Sequence, residues 1–149
     1  MTIRESISDD LPVLIDFQIK MAKETEGVML SHEHLHPGIS NVFADNSRGK
    51  YYVALIGEEI VGCLMTTFEW SEWRNGNVLW IQSVYVSVAH RGQGVYKNLY
   101  RHIQNLVNND TTLKGIRLYA DKQNTAAHEV YTKMGMNGEH YQVFEWMKP

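Results

Sequence analysis

The chain has 149 residues, of which 44% are hydrophobic and 21% charged, with a formal net charge of −3. A chain of this length has room for one sizeable core, so residues 1–149 are predicted to form a single domain. The acidic balance argues against a nucleic-acid or membrane-surface partner, and no apolar run approaches the length of a membrane span. The N-terminal segment lacks the order of a signal peptide, and the single Cys63 excludes an internal disulfide, so we expect a cytoplasmic protein with Cys63 in its core.

Hydrophobic periodicity predicts ten elements in the order β-α-α-β-β-β-α-β-α-β. A strand in TIRES precedes a helix that Ser8 or Asp9 caps and that extends to about Lys23. A second helix is predicted over residues 31–45, interrupted at Pro37 and Gly38. The remaining strands are predicted at 51–56, 60–68, 78–88, 116–120 and 141–147, and the remaining helices at 92–108 and 124–134.

The segment RGQGVYKNL, residues 91–99, follows an apolar strand and opens a helix. The first N–H groups of a helix have no intrahelical acceptor and the helix dipole is positive there, which favours an anion. Gly92 and Gly94 have no Cβ, so a phosphate can approach the backbone closely. The segment has neither the GxxxxGK pattern of a P-loop nor a complete GxGxxG fingerprint. It therefore predicts a phosphate cradle of another kind.

The string RGQGVY resembles the acyl-CoA-binding motif of the GNAT superfamily of N-acetyltransferases, Gln/Arg-x-x-Gly-x-Gly/Ala. Arg91 and Gly94 match this motif, whereas Tyr96 stands where the family usually has Gly or Ala. About 30 residues further on, NTAAHEVYTKMGM resembles the family's second signature. The residues in register with that signature are Asn124, Ala127, Tyr131, Gly135 and Met136. The two motifs occur together at the separation typical of the family.

The resemblance implies an α/β (α+β) fold with a mixed, mostly antiparallel sheet, about four flanking helices and splayed central strands. It implies acetyl-CoA as the acyl donor and no metal. Backbone groups of Val84 and Val86 would bind the pantetheine arm like an added strand. The expected cofactor-binding residues of the turn and the second motif are Arg91, Gly92, Gln93, Gly94, Val95, Tyr96 and Asn124.

Tyr131 is the predicted general acid. It follows Asn124 by two helical turns, so both can face one cleft, and in the family the tyrosine at this register protonates the departing thiolate. The alternative is that Tyr131 is a half-buried packing residue of its helix. His128, three residues earlier, is predicted to be a solvated helix residue rather than a base.

The general base and the acceptor site are less determined by the sequence. Gln82 stands where many relatives carry an acid, and its amide cannot accept a proton. Glu69 is the nearest carboxylate that could act as the base. A substrate amine that arrives in its neutral form would need no base. Glu24, Glu26 and Trp70 are predicted to line an acidic, aromatic acceptor site that suits a cationic amine. The alternatives are that Trp70 is a packing residue of the core or of an interface, and that the glutamates are solvated surface acids.

The alternating His32, His34 and His36 share one face only in an extended strand, and no cysteine lies nearby. A solvated helix start is therefore predicted, and no metal site.

The predicted function is acetyl-CoA-dependent N-acetyl transfer to a primary amine of a small molecule or peptide. The alternative is a non-catalytic acyl-CoA-binding or regulatory module of the same fold, which Tyr96 and Gln82 favour and Tyr131 disfavours. No nucleic-acid or membrane partner is expected, and a homodimer is left open.

Overall fold

A mixed five-stranded sheet lies at the centre of the computed structural model, which describes residues 1–149. The strands are β1 (Thr2–Glu5), β2 (Lys50–Ile56), β3 (Glu59–Ser71), β4 (Gly76–Val86) and β5 (Leu113–Arg117). They are ordered β1-β2-β3-β4-β5, antiparallel except for the parallel pair β4–β5. The helices are α1 (Leu11–Glu26), α2 (His32–Ala44), α3 (Val95–Asn109) and α4 (Thr125–Lys133). The predicted mixed, mostly antiparallel sheet with four helices is confirmed.

The chain divides into two units, Met1–Arg117 and Leu118–Pro149. The first unit contains the whole sheet and α1 to α3, and the second contains α4. None of the helices is long and apolar enough to cross a membrane.

One face of the sheet is covered by α1 and α2. Side chains that alternate along β2 and β3 pack against apolar residues of the two helices. The buried members of this core are Leu14, Ile15, Phe17, Ile39, Val42, Tyr51, Val53, Cys63, Met65 and Tyr85. Burial raises the pKa of the Cys63 thiol to about 12, so this cysteine is a core residue, as predicted, and not a nucleophile.

The opposite face of the sheet is covered by α3, whose Leu99 and Ile103 are fully buried. Tyr52, which points away from the α1 side, has its ring 5.5 Å from that of His102. The start of α3 lies close above β3: a Cβ added to Gly62 would be only 2.8 Å from Cγ1 of Val95. Glycine at position 62 therefore permits the contact that sets the height of this helix start above the sheet.

Several element boundaries differ from those predicted. Helix α1 begins at Leu11, after a 3₁₀ turn, and extends to Glu26, where Gly27 ends it with φ +64°. Helix α2 is continuous through Pro37, because the proline removes one early hydrogen bond while Ile39 and Val42 remain buried.

Helix α3 begins at Val95 and not at residue 92, because Gly92 and Gly94 adopt φ of +76° and +78°, which a helix cannot contain. Strand β4 ends at Val86, two residues early, and β5 lies three residues before its predicted position.

The final strand predicted over residues 141–147 is absent. The segment has no secondary structure, and its apolar side chains are exposed. An apolar pattern supplies strand propensity, but a strand exists only where a neighbour accepts its hydrogen bonds.

An ion pair fixes the start of α1 to β1. Arg4 donates two hydrogen bonds to the Asp10 carboxylate, at 2.7 and 3.0 Å, and the Ile7 N–H donates a third at 2.8 Å. The hydrogen bonds from the Arg4 guanidinium and, to a smaller extent, from the Ile7 N–H lower the pKa of the Asp10 carboxyl group. Asp10 itself is buried.

We expect Asp10→Asn to lower the free energy of unfolding by about 2 kcal/mol at pH 7, the scale of hydrogen bonds to a charged group. Because the folded-state pKa lies below the ordinary value of 3.8, the carboxylate stabilises the fold above that pH and loses its effect as the pH falls through the folded value. Urea unfolding of the unaltered protein and of the Asp10→Asn variant should therefore show a difference in the free energy of unfolding that becomes smaller at acidic pH. Asp9→Asn, at an exposed neighbouring carboxylate, is the control and should be near neutral.

Candidate functional site

Strand β4 has two neighbours along its first half and one along its second. Asn77 to Trp80 pair with both β3 and β5, whereas the β4–β5 register ends at Trp80 and the β3–β4 register continues to Val86. The splayed central strands that the resemblance implied are therefore present. Along the half from Ile81 to Val86, the side of β4 that faces away from β3 offers backbone groups to an added extended chain.

A β-bulge lies in this free half of β4. Ser83 has φ +55°, and the register with β3 shifts between Cys63 and Met65. The Ser83 carbonyl accepts a hydrogen bond from Gln18 Nε2 at 3.3 Å and lies 3.6 Å from the Cys63 sulfur, which donates to it. Sequence reasoning missed Gln18, although a buried amide on the apolar face of α1 is a signal that it satisfies a polar group.

The turn between β4 and α3 is held by its own side chains, which donate hydrogen bonds to its carbonyls. These contacts are Arg91 Nε to Val86 O at 3.0 Å, Gln93 Nε2 to Ala89 O at 3.1 Å and Asn98 Nδ2 to Gly94 O at 2.8 Å. Ser87 and His90 add a hydrogen bond of 2.7 Å across the 3₁₀ turn that precedes the glycines. The turn is thus preorganised.

The two glycines of the turn face open space. A Cβ on Gly92 would meet no atom within 4 Å, and one on Gly94 would meet only the Asn98 amide at 3.7 Å. The first hydrogen bond of α3 runs from the Asn98 N–H to the Gly94 carbonyl, so the helix N-terminus with its preceding N–H groups lies at this opening. Glycines in this backbone conformation, an accessible helix start and Arg91 together fit a pyrophosphate.

Tyr96, the departure from the family motif, lies along α3. It is half-buried, and its ring centroid is 6.3 Å from that of Tyr100, one helical turn further on. Val95, between the turn and Tyr96, is buried over Gly62.

Arg91 has an acidic partner from α1. Its guanidinium donates to Glu24 at 2.7 Å and lies over the Tyr85 ring, 5.5 Å from the centroid. The Tyr85 hydroxyl donates to the same carboxylate at 3.3 Å. The hydrogen bond from Arg91 is the main cause that lowers the pKa of Glu24. Glu24, predicted for the acceptor site, is therefore bound to the arginine predicted for the phosphate, and both side chains are substantially exposed.

Glu69 and Trp70, which were predicted for the base and the acceptor site, lie toward the other end of β4 from the turn that Glu24 contacts. Glu69 is opposite Val78 and Trp70 opposite Asn77, whereas the turn follows Val86. Eight β4 residues span roughly 25 Å. Glu69 also forms an ion pair with Arg117, and Trp70 is exposed. The exposed Glu26 lies with Glu24 on the last turn of α1. The roles predicted for Glu69 as the base and for Glu24, Glu26 and Trp70 at the acceptor site stay predictions.

The second motif lies in the unit Leu118–Pro149 and forms a capped helix. The Asn124 side-chain oxygen accepts the Ala127 N–H at 3.1 Å and so caps α4. Tyr131 is half-buried on this helix, and burial raises the pKa of its phenol. His128 is exposed and its Nε2 lies 2.8 Å from the Asp121 carbonyl, a structural contact.

The three histidines lie on α2, with the rings of His32 and His36 6.0 Å apart. The chain contains no group of three or more His, Cys, Asp or Glu side chains arranged to hold a metal ion.

Comparison with known families finds one that matches most of the chain. The profile of the family described as "Acetyltransferase (GNAT) family" matches residues 17–136. A comparison with curated proteins finds no match.

Solved structures similar to this chain include a possible acetyltransferase from Clostridium difficile 630, 38% identical, with a TM-score of 0.93 over 99% of this chain and 97% of that one. A probable acetyltransferase, 20% identical, has a TM-score of 0.87 over 100% of this chain and 99% of that one. An aminoglycoside acetyltransferase from an uncultured soil metagenomic sample, solved with sisomicin, is 17% identical, with a TM-score of 0.79 over 99% and 95%. The last two similarities concern the fold alone.

We expect Gly94→Asp to weaken the binding of CoA at least tenfold, about 1.4 kcal/mol. Its carboxylate would enter the open space in front of Gly94 and repel a pyrophosphate. Gly94→Asn is the matched control, because asparagine has the same shape and tolerates positive φ but carries no charge. Titration calorimetry on folded protein should give the aspartate variant the weaker affinity of the two, and equal affinities would contradict a phosphate at this turn.

Proposed function

Because the chain belongs to the acetyltransferase (GNAT) family, we propose that it transfers an acetyl group from acetyl-CoA to a primary amine of a small molecule or peptide, with Tyr131 as the general acid. The observation that carries this proposal is the open glycine turn at the end of the free half of β4. The two features suit the phosphate end and the extended amide arm of one ligand. We further propose that residues 1–149 act as one domain in the cytoplasm.

Residues of the turn and of β4 would hold the cofactor. N–H groups from Gly92 to Tyr96 would donate to the pyrophosphate, and Arg91 would exchange Glu24 for a phosphate oxygen, since an exposed ion pair contributes little. The backbone of Val84 and Val86 would pair with the amides of the pantetheine arm. Bound acetyl-CoA supplies an acetyl thioester, which an amine can attack directly.

The proton for the departing thiolate would come from Tyr131. Burial raises the pKa of this phenol, so the hydroxyl keeps its proton at neutral pH and can donate it to the sulfur as the C–S bond breaks. Asn124 would contact the cofactor from the start of the same helix.

The reacting amine would lose its proton without a dedicated carboxylate. Gln82 is an amide and cannot accept the proton, and Glu69 is bound to Arg117. We therefore propose that the amine enters in its neutral form or loses the proton to water. Activity should then rise with pH until the amine has titrated.

The acceptor is proposed to be a cationic amine. Glu26 and, once Arg91 has moved to the phosphate, Glu24 would raise the local concentration of cations at the end of α1. One structural neighbour is an aminoglycoside acetyltransferase, and because aminoglycosides are polycationic amines they belong in the test panel. Trp70 would contribute only to a substrate long enough to reach the far end of β4.

The test of this function is a thiol-release assay with acetyl-CoA against polyamines, aminoglycosides, amino acids and peptides. We expect turnover with at least one cationic amine and a rate that rises with pH. Tight CoA binding without turnover on any amine would instead support the non-catalytic acyl-CoA-binding module.

We expect Tyr131→Phe to lower kcat by roughly 10²-fold or more with CoA affinity nearly unchanged, because it removes the acidic proton and keeps the ring. Steady-state kinetics with the best amine of the panel measures this. Tyr119→Phe, at an exposed tyrosine of the same unit, is the control and should keep full activity. A fully active Tyr131→Phe enzyme would assign the proton to water or to the substrate.

A further inference from the structure

A polar side chain lies in the apolar core behind the bulge of β4. Gln18, on the inner face of α1, is buried. Its Nε2 donates to the Ser83 carbonyl at 3.3 Å and lies 3.9 Å from the Cys63 sulfur. Burying an amide is unfavourable unless it is hydrogen-bonded, so the Ser83 carbonyl is what allows a glutamine at this position.

The bulge places one extra residue in β4. Between the opposite pairs Cys63–Tyr85 and Met65–Gln82, β3 contains one residue and β4 contains two. The first of these two is Ser83, whose φ is +55°. A serine in this left-handed conformation is strained, and such a conformation persists only where the surrounding structure holds it.

The extra residue determines the direction of Tyr85. Gln82 and Tyr85 are three positions apart, so in a regular strand they would point to opposite faces of the sheet. Both instead stand opposite β3 residues that belong to the core under α1 and α2, and therefore point to that same face. The Tyr85 ring lies 4.9 Å from that of Phe17, and its hydroxyl donates to Glu24 at 3.3 Å. Loss of the bulge would reverse the facing of the residues on one side of it.

Gln18 is the stronger of two donors to the Ser83 carbonyl. The second donor is the Cys63 thiol, whose sulfur lies 3.6 Å from the same oxygen. A thiol is a weak donor, whereas an amide N–H is a strong one. Without the Gln18 amide, the carbonyl would keep only the weak donor, and Ser83 would lose the contact that offsets its strain.

We propose that Gln18 is a positioning residue of the cofactor site. By holding Ser83 in the left-handed conformation, it fixes which backbone groups of Val84 and Val86 point to the side of β4 away from β3. This inference rests on the proposed function, in which those groups pair with the pantetheine arm of the cofactor. Gln18 is buried and acts through the Ser83 carbonyl.

The first experiment compares two ligands by titration calorimetry. ADP has a pyrophosphate, as CoA does, but lacks the pantetheine arm. Gln18→Met keeps the length of the side chain and removes its donor, so we expect the affinity for CoA to fall about fivefold or more and that for ADP to change by less than about twofold. Gln104→Met, at a partly exposed glutamine of α3, is the matched control and should bind CoA normally.

Two results of this comparison would overturn the proposal. An unchanged affinity of Gln18→Met for CoA would show that the amide does not support the site. An equal loss of affinity for CoA and for ADP would show that Gln18 acts on the fold as a whole and not on the strand that faces the pantetheine arm.

The second experiment repeats Gln18→Met in a chain that carries Ser83→Gly. Glycine adopts positive φ without strain, so the amide is no longer needed to hold this conformation. We expect Gln18→Met to reduce the affinity for CoA by less than about twofold when it is added to Ser83→Gly. A loss as large as in the unaltered chain would show that Gln18 acts by a route other than Ser83.

The same double variant decides the case in which Gln18→Met alone does not fold. The double variant should then fold and bind CoA like Ser83→Gly, and its failure to fold would overturn the proposal. An unaltered chain that binds neither CoA nor ADP would mean that the proposed function has failed, and the role of Gln18 with it. Normal CoA binding by both the unaltered chain and Gln18→Met would remove the role of Gln18 alone.

Discussion

The candidate site depends on one change of partner within β4. The strand has neighbours on both sides as far as Trp80 and then on the β3 side alone. A bulge at Ser83 marks the free half, and its carbonyl is turned toward Gln18 and Cys63. A bulge leaves backbone groups outside the ladder, and here α1 satisfies one of them, which stabilises the irregularity. The remaining backbone of this half is available because β5 does not follow it.

The phosphate turn is placed by packing rather than by its own sequence. Gly62 lets Val95 approach β3, which sets the position of the α3 N-terminus, and Arg91 is anchored both to the Val86 carbonyl and to Glu24 of α1. The acidic partner neutralises the arginine, and the exposure of the pair lets water and competing anions weaken it. Because Arg91 contacts both the turn and Glu24, anion binding at the turn is coupled to the end of α1 through this one side chain.

The two ends of the sheet differ in how well they are covered. Strands β2, β3 and β4 are packed by helices on both faces, and Val53, Val61 and Leu64 are fully buried. At β5, the last strand of the sheet, no residue is buried.

The sequence determined the order of the first nine elements, the core position of Cys63 and the glycine turn, because these follow from local periodicity and from residues with restricted backbone preferences. It could not find Gln18 or the partner of Glu24, because Gln18 contacts a residue 65 positions away and Glu24 one 67 positions away. It left open how far Glu69 and Trp70 lie from Glu24 along the sheet, since a strand's sequence does not state where its pairing with a neighbour begins. Tertiary structure alone decided those contacts. It also decided that residues 141–147 form no strand, because an apolar pattern gives strand propensity, whereas a strand forms only where a neighbouring strand accepts its hydrogen bonds.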